Sequence, residues 1–244
     1  MKKSRNTQSQ WLVGKHAIEA CLKTKRRKIK QILVVDKHQT KYAPFLNECG
    51  DIPVRITDKR ELDKRYPDSP HQGIIAEVSP LQQPSLEDIL KSADLLLILD
   101  QVTDPHNIGA VLRSADAFGC DAVLLPDQNS GSLTEVAAKA ASGAAETVPV
   151  IKVGNLSKCL EELAQSGFWS VGLDGEAKVD ISKIDMTGKT VIVMGSEGKG
   201  LRPLVAKNCD HLAKIPMTGT VESLNISVAT GVTLYECALQ RGRK

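Results

Sequence analysis

Aromatic side chains are scarce: two Trp, three Tyr and three Phe serve 244 residues. So few rings argue against a base-stacking platform of the kind that binds single strands. Close cysteine pairs are absent. Cys21, Cys49, Cys120, Cys159, Cys209 and Cys237 are scattered, and the five histidines form no HExxH pair. Neither a zinc site nor a CxxC redox centre is expected; the thiols are predicted to be buried and reduced, and no metal is expected. No run approaches eighteen apolar residues, and the opening MKKSRNTQSQ has no apolar stretch. A soluble, cytoplasmic protein without a membrane partner is predicted.

What is present is unevenly placed. Net charge is only +3, yet through Lys30 the chain carries ten Lys or Arg against one acid, Glu19. Residues 1–10 read as a disordered basic tail. Gly14–Thr24 places Ala17, Ile18, Cys21 and Leu22 at helical spacing, and Gln31–Val35 is a short β-branched run that fits a buried strand, so helix then strand is the predicted opening. A helix near Tyr42–Glu48, a strand at Pro53–Ile56, a helix from Asp58 and a strand at Gly73–Val78 complete a small α/β domain over 11–79. Pro80 and Pro84 frame a segment without apolar periodicity, which sets a linker at 80–94, with Ser85 and Asp88 spaced as a helix start.

The second domain, 95–244, opens on Leu95–Leu99, wholly apolar as expected of a parallel strand covered on both faces. A helix at Ile108–Phe118, a strand at Ala122–Leu125, a small-residue helix at Glu135–Ala141, strands at Trp169–Leu173 and Val191–Met194, and a helix after Ser223 give an α/β fold. Periodicity alone draws an open Rossmann-like sheet. No phosphate-binding fingerprint follows Leu99, which disfavours a nucleotide-dependent oxidoreductase.

Three stretches gather polar residues and glycine at strand ends, where ligands bind in open α/β sheets. In the first, Asn107 and Arg113 stand six apart; they are either a helix N-cap with a solvated arginine, or two groups flanking a helix turn at a site. In the second, Gly195-Ser196-Glu197-Gly198-Lys199-Gly200 fits neither GxGxxG nor GxxxxGK[ST] and reads as a tight loop whose backbone approaches something closely, or as a plain glycine-rich turn. The third, Ile215–Gly231, is poor in strong helix formers where a helix is due, so tertiary packing must hold it; in the plain reading Ser223 is a helix N-cap.

Together and in this order, the three stretches resemble the SpoU/TrmH branch of the SPOUT RNA methyltransferases: Asn107-Ile108-Gly109 with Arg113, Gly195 with Glu197-Gly198, and Ile215-Pro216-Met217 with Ser223-Leu224-Asn225. The resemblance spans about 95–240. It implies an α/β domain with a C-terminal trefoil knot, a homodimer that completes the active site, and S-adenosylmethionine as methyl donor to a ribose 2′-hydroxyl. Carried over residue by residue, it places Asn107, Arg113, Glu197, Ser223 and Asn225 at the reaction centre and Gly195, Ile215, Met217 and Leu224 against the cofactor. Gly14–Ile18 and His71-Gln72-Gly73 resemble the ribosomal-protein-like substrate-binding domain of the subgroup that methylates a guanosine ribose in the peptidyl-transferase region of 23S rRNA. Methylation of a tRNA guanosine or another rRNA ribose, and a non-catalytic RNA-binding or ribosome-assembly factor, stand as alternatives.

Arginine is a poor base that gives up its proton only reluctantly, so Arg113 is expected to hold the target phosphate and stabilise the developing alkoxide. The basic run of Lys23, Lys25, Arg26, Arg27, Lys28 and Lys30 is expected to meet RNA phosphates, or to be a solvated helix end.

Overall fold

A computed structural model describes residues 10–66, 71–127 and 130–242; apart from Gln10, the expected N-terminal tail lies outside them. The chain divides into two compact units, the first ending at Gln82 and the second beginning at Gln83.

The first unit runs β1 (Gln10–Val13), α1 (Lys15–Thr24), β2 (Ile29–Val35), α2 (Gln39–Glu48), β3 (Val54–Thr57), α3 (Lys59–Arg65) and β4 (Ile74–Val78). It therefore opens on a strand, where a helix was expected first; four residues are too few for a period-2 pattern to stand out. The sheet order is β1-β4-β2-β3, with β4 antiparallel to both neighbours and β2 parallel to β3. Alternation along β2 serves both faces: Ile32 and Val34 pack with Ile18, Tyr42 and Phe45, while Leu33 and Val35 pack with Leu62 and Ile75. Asp58 caps α3 by accepting from the Glu61 amide at 3.0 Å.

The second unit contains α4 (Leu86–Leu90), β5 (Leu95–Leu99), α5 (Pro105–Ala117), β6 (Ala122–Pro126), α6 (Glu135–Ala140), α7 (Ala144–Thr147), β7 (Val150–Val153), α8 (Leu156–Gln165), β8 (Trp169–Leu173), β9 (Val179–Asp180), β10 (Thr190–Met194), α9 (Pro203–Lys207), β11 (His211–Lys214) and α10 (Ile226–Gln240). Within the segment expected as linker, α4 is capped by Ser85, and Leu86, Ile89 and Leu90 pack on the core of this unit. The seven strands run parallel in the order β7-β6-β5-β10-β8-β11-β9. Leu95, Leu97 and Leu99 face a core shared with α5, α6, α7 and α10, whereas Leu96 and Ile98 face one shared with α8 and α9. Burial on both faces is why β5 is continuously apolar; each such side chain contributes about 1.5–3 kcal/mol. Tertiary contact also holds α10: Thr230, Thr233, Leu234 and Cys237 are fully buried, and Gly231 lies close to Ser114 of α5.

Candidate active site

Parallel strands send the loops after β5, β10 and β11 out from one edge of the second sheet, the edge at which open α/β folds bind ligands. Each loop has its own local cause.

After β5, Asp104 caps α5 by accepting from the His106 amide at 2.9 Å, and Pro105 takes the first helical position, where no amide hydrogen is needed. Asn107 is thus not the cap of the plain reading. It is the third residue of the helix, half-buried, with its side chain free for other work. Gly109, two residues on, lets α5 approach α6 closely: a Cβ there would lie 2.5 Å from the Ala137 carbonyl oxygen.

After β10 the chain makes a tight hairpin in which Ser196 and Gly200 exchange both backbone hydrogen bonds, at 3.1 and 2.9 Å. A Cβ on Gly195 would sit 2.1 Å from the Gly200 carbonyl carbon, so the expected close approach is by the loop's own returning backbone. The far end of the loop is tied down by an ion pair: the Arg202 side chain donates to Asp100 Oδ1 from Nε (2.8 Å), with Nη2 2.7 Å from the same oxygen, and the Arg202 amide donates to Oδ2 (3.0 Å). Asp100 is fully buried at the end of β5. Sequence reading assigned neither residue a role, although an acid closing a wholly apolar strand was the available signal.

After β11, residues 216–224 make no backbone–backbone hydrogen bond among the described residues. Their amides and carbonyls are available to a ligand, which fits main-chain recognition of a cofactor by this loop. Gly195, Ile215 and Leu224 are half-buried at these strand ends, and Met217 is exposed. Asn225 closes the loop: its Oδ1 accepts from the Ser227 amide (2.9 Å) and hydroxyl (2.6 Å), capping α10. The cap is Asn225; Ser223 lies two residues earlier, exposed and without a hydrogen-bond partner among the described residues.

Asn225 also joins the three loops. Its Nδ2 donates to Asn107 Oδ1 at 3.1 Å and to Glu197 Oε2 at 3.2 Å, so its amide is fully engaged. Three of the five residues expected at the reaction centre therefore form one hydrogen-bonded cluster. Arg113 stands apart, about 9 Å along α5 and roughly 120° around it from Asn107, exposed and unpaired by any carboxylate among the described residues. At the same sheet edge, Lys152 on β7 donates to the Ser130 hydroxyl (3.1 Å) and the Gly131 carbonyl (2.6 Å), and burial lowers its pKa.

In the first unit, Lys23, Lys25, Lys28 and Lys30 of the expected RNA-binding run are exposed, while Arg26 and Arg27 are half-buried. Arg27 donates to Gln10 Oε1 at 2.8 Å, and the Lys30 ammonium lies 3.6 Å from Glu77. Among the described residues no three His, Cys, Asp or Glu side chains are placed to hold a metal, and no helix is long and apolar enough to cross a membrane.

Residues 94–235 match the SpoU rRNA Methylase family model and residues 11–84 match a model described as RNA 2′-O ribose methyltransferase substrate binding. The chain is 46% identical to the 23S rRNA (guanosine-2′-O-)-methyltransferase RlmB of Pseudomonas aeruginosa, over 96% of this chain and 98% of that one. It is 42% identical to the RlmB of Escherichia coli, over 96% and 99%. Among solved structures, the SpoU methyltransferase AviRb of Streptomyces viridochromogenes has the same fold, with a TM-score of 0.80 at 23% identity over 96% of this chain and 90% of that one. A TrmH/SpoU tRNA modifying enzyme from A. aeolicus is 33% identical with a TM-score of 0.56, over 64% of this chain and 84% of that one. The α/β fold is thus the expected one, a substrate-binding domain followed by a SPOUT-type parallel-sheet domain, and the chain belongs to the SpoU rRNA methylase family.

Proposed function

We propose that this protein transfers a methyl group from S-adenosylmethionine to the ribose 2′-hydroxyl of a guanosine in 23S rRNA, and that it acts as a homodimer in the cytoplasm, where that substrate resides. The observation that carries the reading is the bonding of Asn225 to both Asn107 and Glu197, which gathers the loops of three parallel strands around one site. Relatives named for this reaction, matched along both units, support the choice of substrate.

In the transfer, the ribose oxygen attacks the methyl carbon, the carbon–sulfur bond breaks as the sulfonium becomes a neutral thioether, and the hydroxyl proton leaves to a phosphate or water. The chain's own part is positioning. Main-chain groups of 216–224, unpaired with other backbone among the described residues, seat the donor, with Gly195, Ile215, Met217 and Leu224 along its path, while Asn107, Glu197 and Asn225 hold that seat in shape. Ser223 offers a free hydroxyl beside it. Arg113, exposed and without a carboxylate partner among the described residues, suits the target phosphate and the charge that grows on the ribose oxygen. Lys23–Lys30 contact phosphates elsewhere on the RNA.

The dimer rests on α10. Val228, Val232, Tyr235 and Leu239 fall at i, i+4, i+7 and i+11 and are each at least 40% exposed, an apolar stripe that a second copy would cover. The trefoil knot belongs to the same reading: α10, returning from beyond β11 to pack on α5, is the segment that ties it.

Incubation with methyl-labelled S-adenosylmethionine and either a 23S rRNA transcript or tRNA tests the function directly. Label on one guanosine ribose of the 23S transcript is expected. Label on tRNA alone, or on neither RNA, overturns the reading.

A further inference from the structure

We infer that the first unit carries a second RNA-contacting surface, built around Gln72, at the end of its sheet opposite the Lys23–Lys30 run. The inference rests on the proposed function and names which part of the substrate-binding domain meets the RNA.

The topology separates the two surfaces. Lys25–Lys30 leads into the start of β2, where the Lys28 amide donates to the Ser79 hydroxyl just beyond the end of β4. At the other end of β2, the Val35 amide donates to the Gly73 carbonyl just ahead of β4, and the Gly14 amide, just past β1, donates to the Ile74 carbonyl. The seven residues of β2 put about 20 Å between these ends. The two stretches singled out in the first domain, Gly14–Ile18 and His71–Gly73, thus meet at an end of the sheet distinct from the basic run.

At that end the chain holds Gln72 in a conformation unusual for it. Its φ is 53°, in the left-handed region, and its side chain is exposed. Its neighbours fix it there. The Tyr42 hydroxyl donates to the Gln72 carbonyl at 2.8 Å, the Gly73 amide donates to His71 Nδ1 at 2.9 Å, and His71 Nε2 lies 2.9 Å from Asp63 Oδ1. His71 itself is buried. Packing seals the turn from beneath: a Cβ on Gly73 would lie 2.3 Å from the His38 ring. A strained, buttressed turn that presents an amide with no hydrogen-bond partner among the described residues is costly for folding alone and useful for contact.

The surroundings are cationic. Lys37 and Lys41 are exposed and flank His38, and neither is paired with a carboxylate among the described residues. Among the described residues, Asp63 is engaged with His71 and Lys59, and Glu19 with Lys15 and His16, while Asp36 is an exposed acid beside the lysines. An amide that can both donate and accept, flanked by exposed Lys37 and by Lys41, whose ammonium lies 5.2 Å over the Tyr42 ring and is paired with no carboxylate among the described residues, fits an unpaired RNA segment, with the lysines on phosphates and Gln72 on a base edge.

Binding of the full-length protein to a 23S rRNA transcript, measured over a range of salt, tests this. Gln72→Gly removes the amide and relieves the left-handed strain, so the thermal midpoint should match or exceed wild type while RNA affinity falls about 10-fold. Lys37→Ala with Lys41→Ala should flatten the slope of log affinity against log salt by about 1.4. Wild-type affinity and salt slope in both variants overturn the inference. A wild-type protein that neither binds nor methylates the transcript overturns the proposed function instead.

Discussion

Arg202 closes on Asp100 with both its side chain and its own backbone amide, across 102 residues of sequence. The carboxylate is wholly buried and the guanidinium partly exposed, so the two halves of the pair are unequal. Removing Asp100 leaves an arginine that can reach water; removing Arg202 leaves a buried charge. Arg202→Ala is therefore predicted to cost about 2 kcal/mol or more in chemical unfolding and to weaken S-adenosylmethionine binding at least 10-fold in calorimetry, because the 195–202 loop loses its far anchor. Unchanged cofactor affinity in a folded Arg202→Ala protein counts against that positioning role.

Gly195 is fixed by its own loop. A methyl at that position collides with the Gly200 carbonyl, a backbone group that cannot swing aside as a side chain would. Gly195→Ala is predicted to displace the hairpin, lowering stability by about 1–3 kcal/mol and turnover more than 100-fold. Gly198→Ala is the control: its φ of 78° is strained for alanine, but nothing lies within 4 Å of the added carbon, so about 1 kcal/mol of stability is lost and turnover falls less. Equal activity losses in the two variants would contradict the steric account.

Much of this edge was legible in the sequence because its causes are local. Leu95–Leu99 declares a strand covered on both faces, and the order of the three polar stretches carries the family resemblance from which the site residues were nominated. The plain readings of Asn107 and Ser223 as caps each miss the true cap by a few residues. Asp104 followed by Pro105 outcompetes Asn107 as a helix start, and Asn225 outcompetes Ser223; in both helices the true cap also leaves a neighbouring polar side chain free. The Asp100–Arg202 pair could not be read, since sequence spacing does not say that 102 residues close into a contact. Spacing does separate Arg113 from Asn107, since six residues at about 100° each set it roughly 120° around the helix wherever the helix starts.

Arg113 separates two kinds of arginine function. A point charge would serve if attraction to phosphate were all that mattered, whereas a forked guanidinium gives two parallel hydrogen bonds. Arg113→Lys is predicted to lower turnover about 100-fold at saturating RNA, with little change in stability because the side chain is exposed. Near-normal turnover across pH would rule out bidentate clamping.

The first unit should lose stability as pH falls. Burial, then Lys37, Lys41 and His71, hold the His38 pKa below its ordinary 6.5, so the folded state resists a proton that the unfolded chain accepts. Between the lowered value and 6.5 the unfolded state binds more protons, and stability must rise with pH across that window. Asp63, lowered by its hydrogen bonds to His71 and then Lys59, contributes in a lower window: its stabilisation is present above the ordinary 3.8 and is lost as pH falls through its folded value. Thermal midpoints between pH 5 and 7.5 should therefore decline on acidification in the wild type and decline less in His38→Gln. Equal slopes in the two proteins would assign the effect to another group.

Asn225 does two jobs with the two ends of one amide, and they can be separated. Its oxygen caps α10; its nitrogen donates to Asn107 and Glu197. Aspartate caps a helix as well as asparagine does but has no hydrogen to donate and sets a second carboxylate beside Glu197. Asn225→Asp should therefore keep stability within about 1 kcal/mol of wild type while turnover falls more than 100-fold. Asn225→Ala should lose both, with the missing cap costing a further 1 kcal/mol or so. Chemical unfolding and turnover measured on the two variants decide the matter: if aspartate retains turnover, the bonds to Asn107 and Glu197 are incidental and the three loops are held together by packing alone.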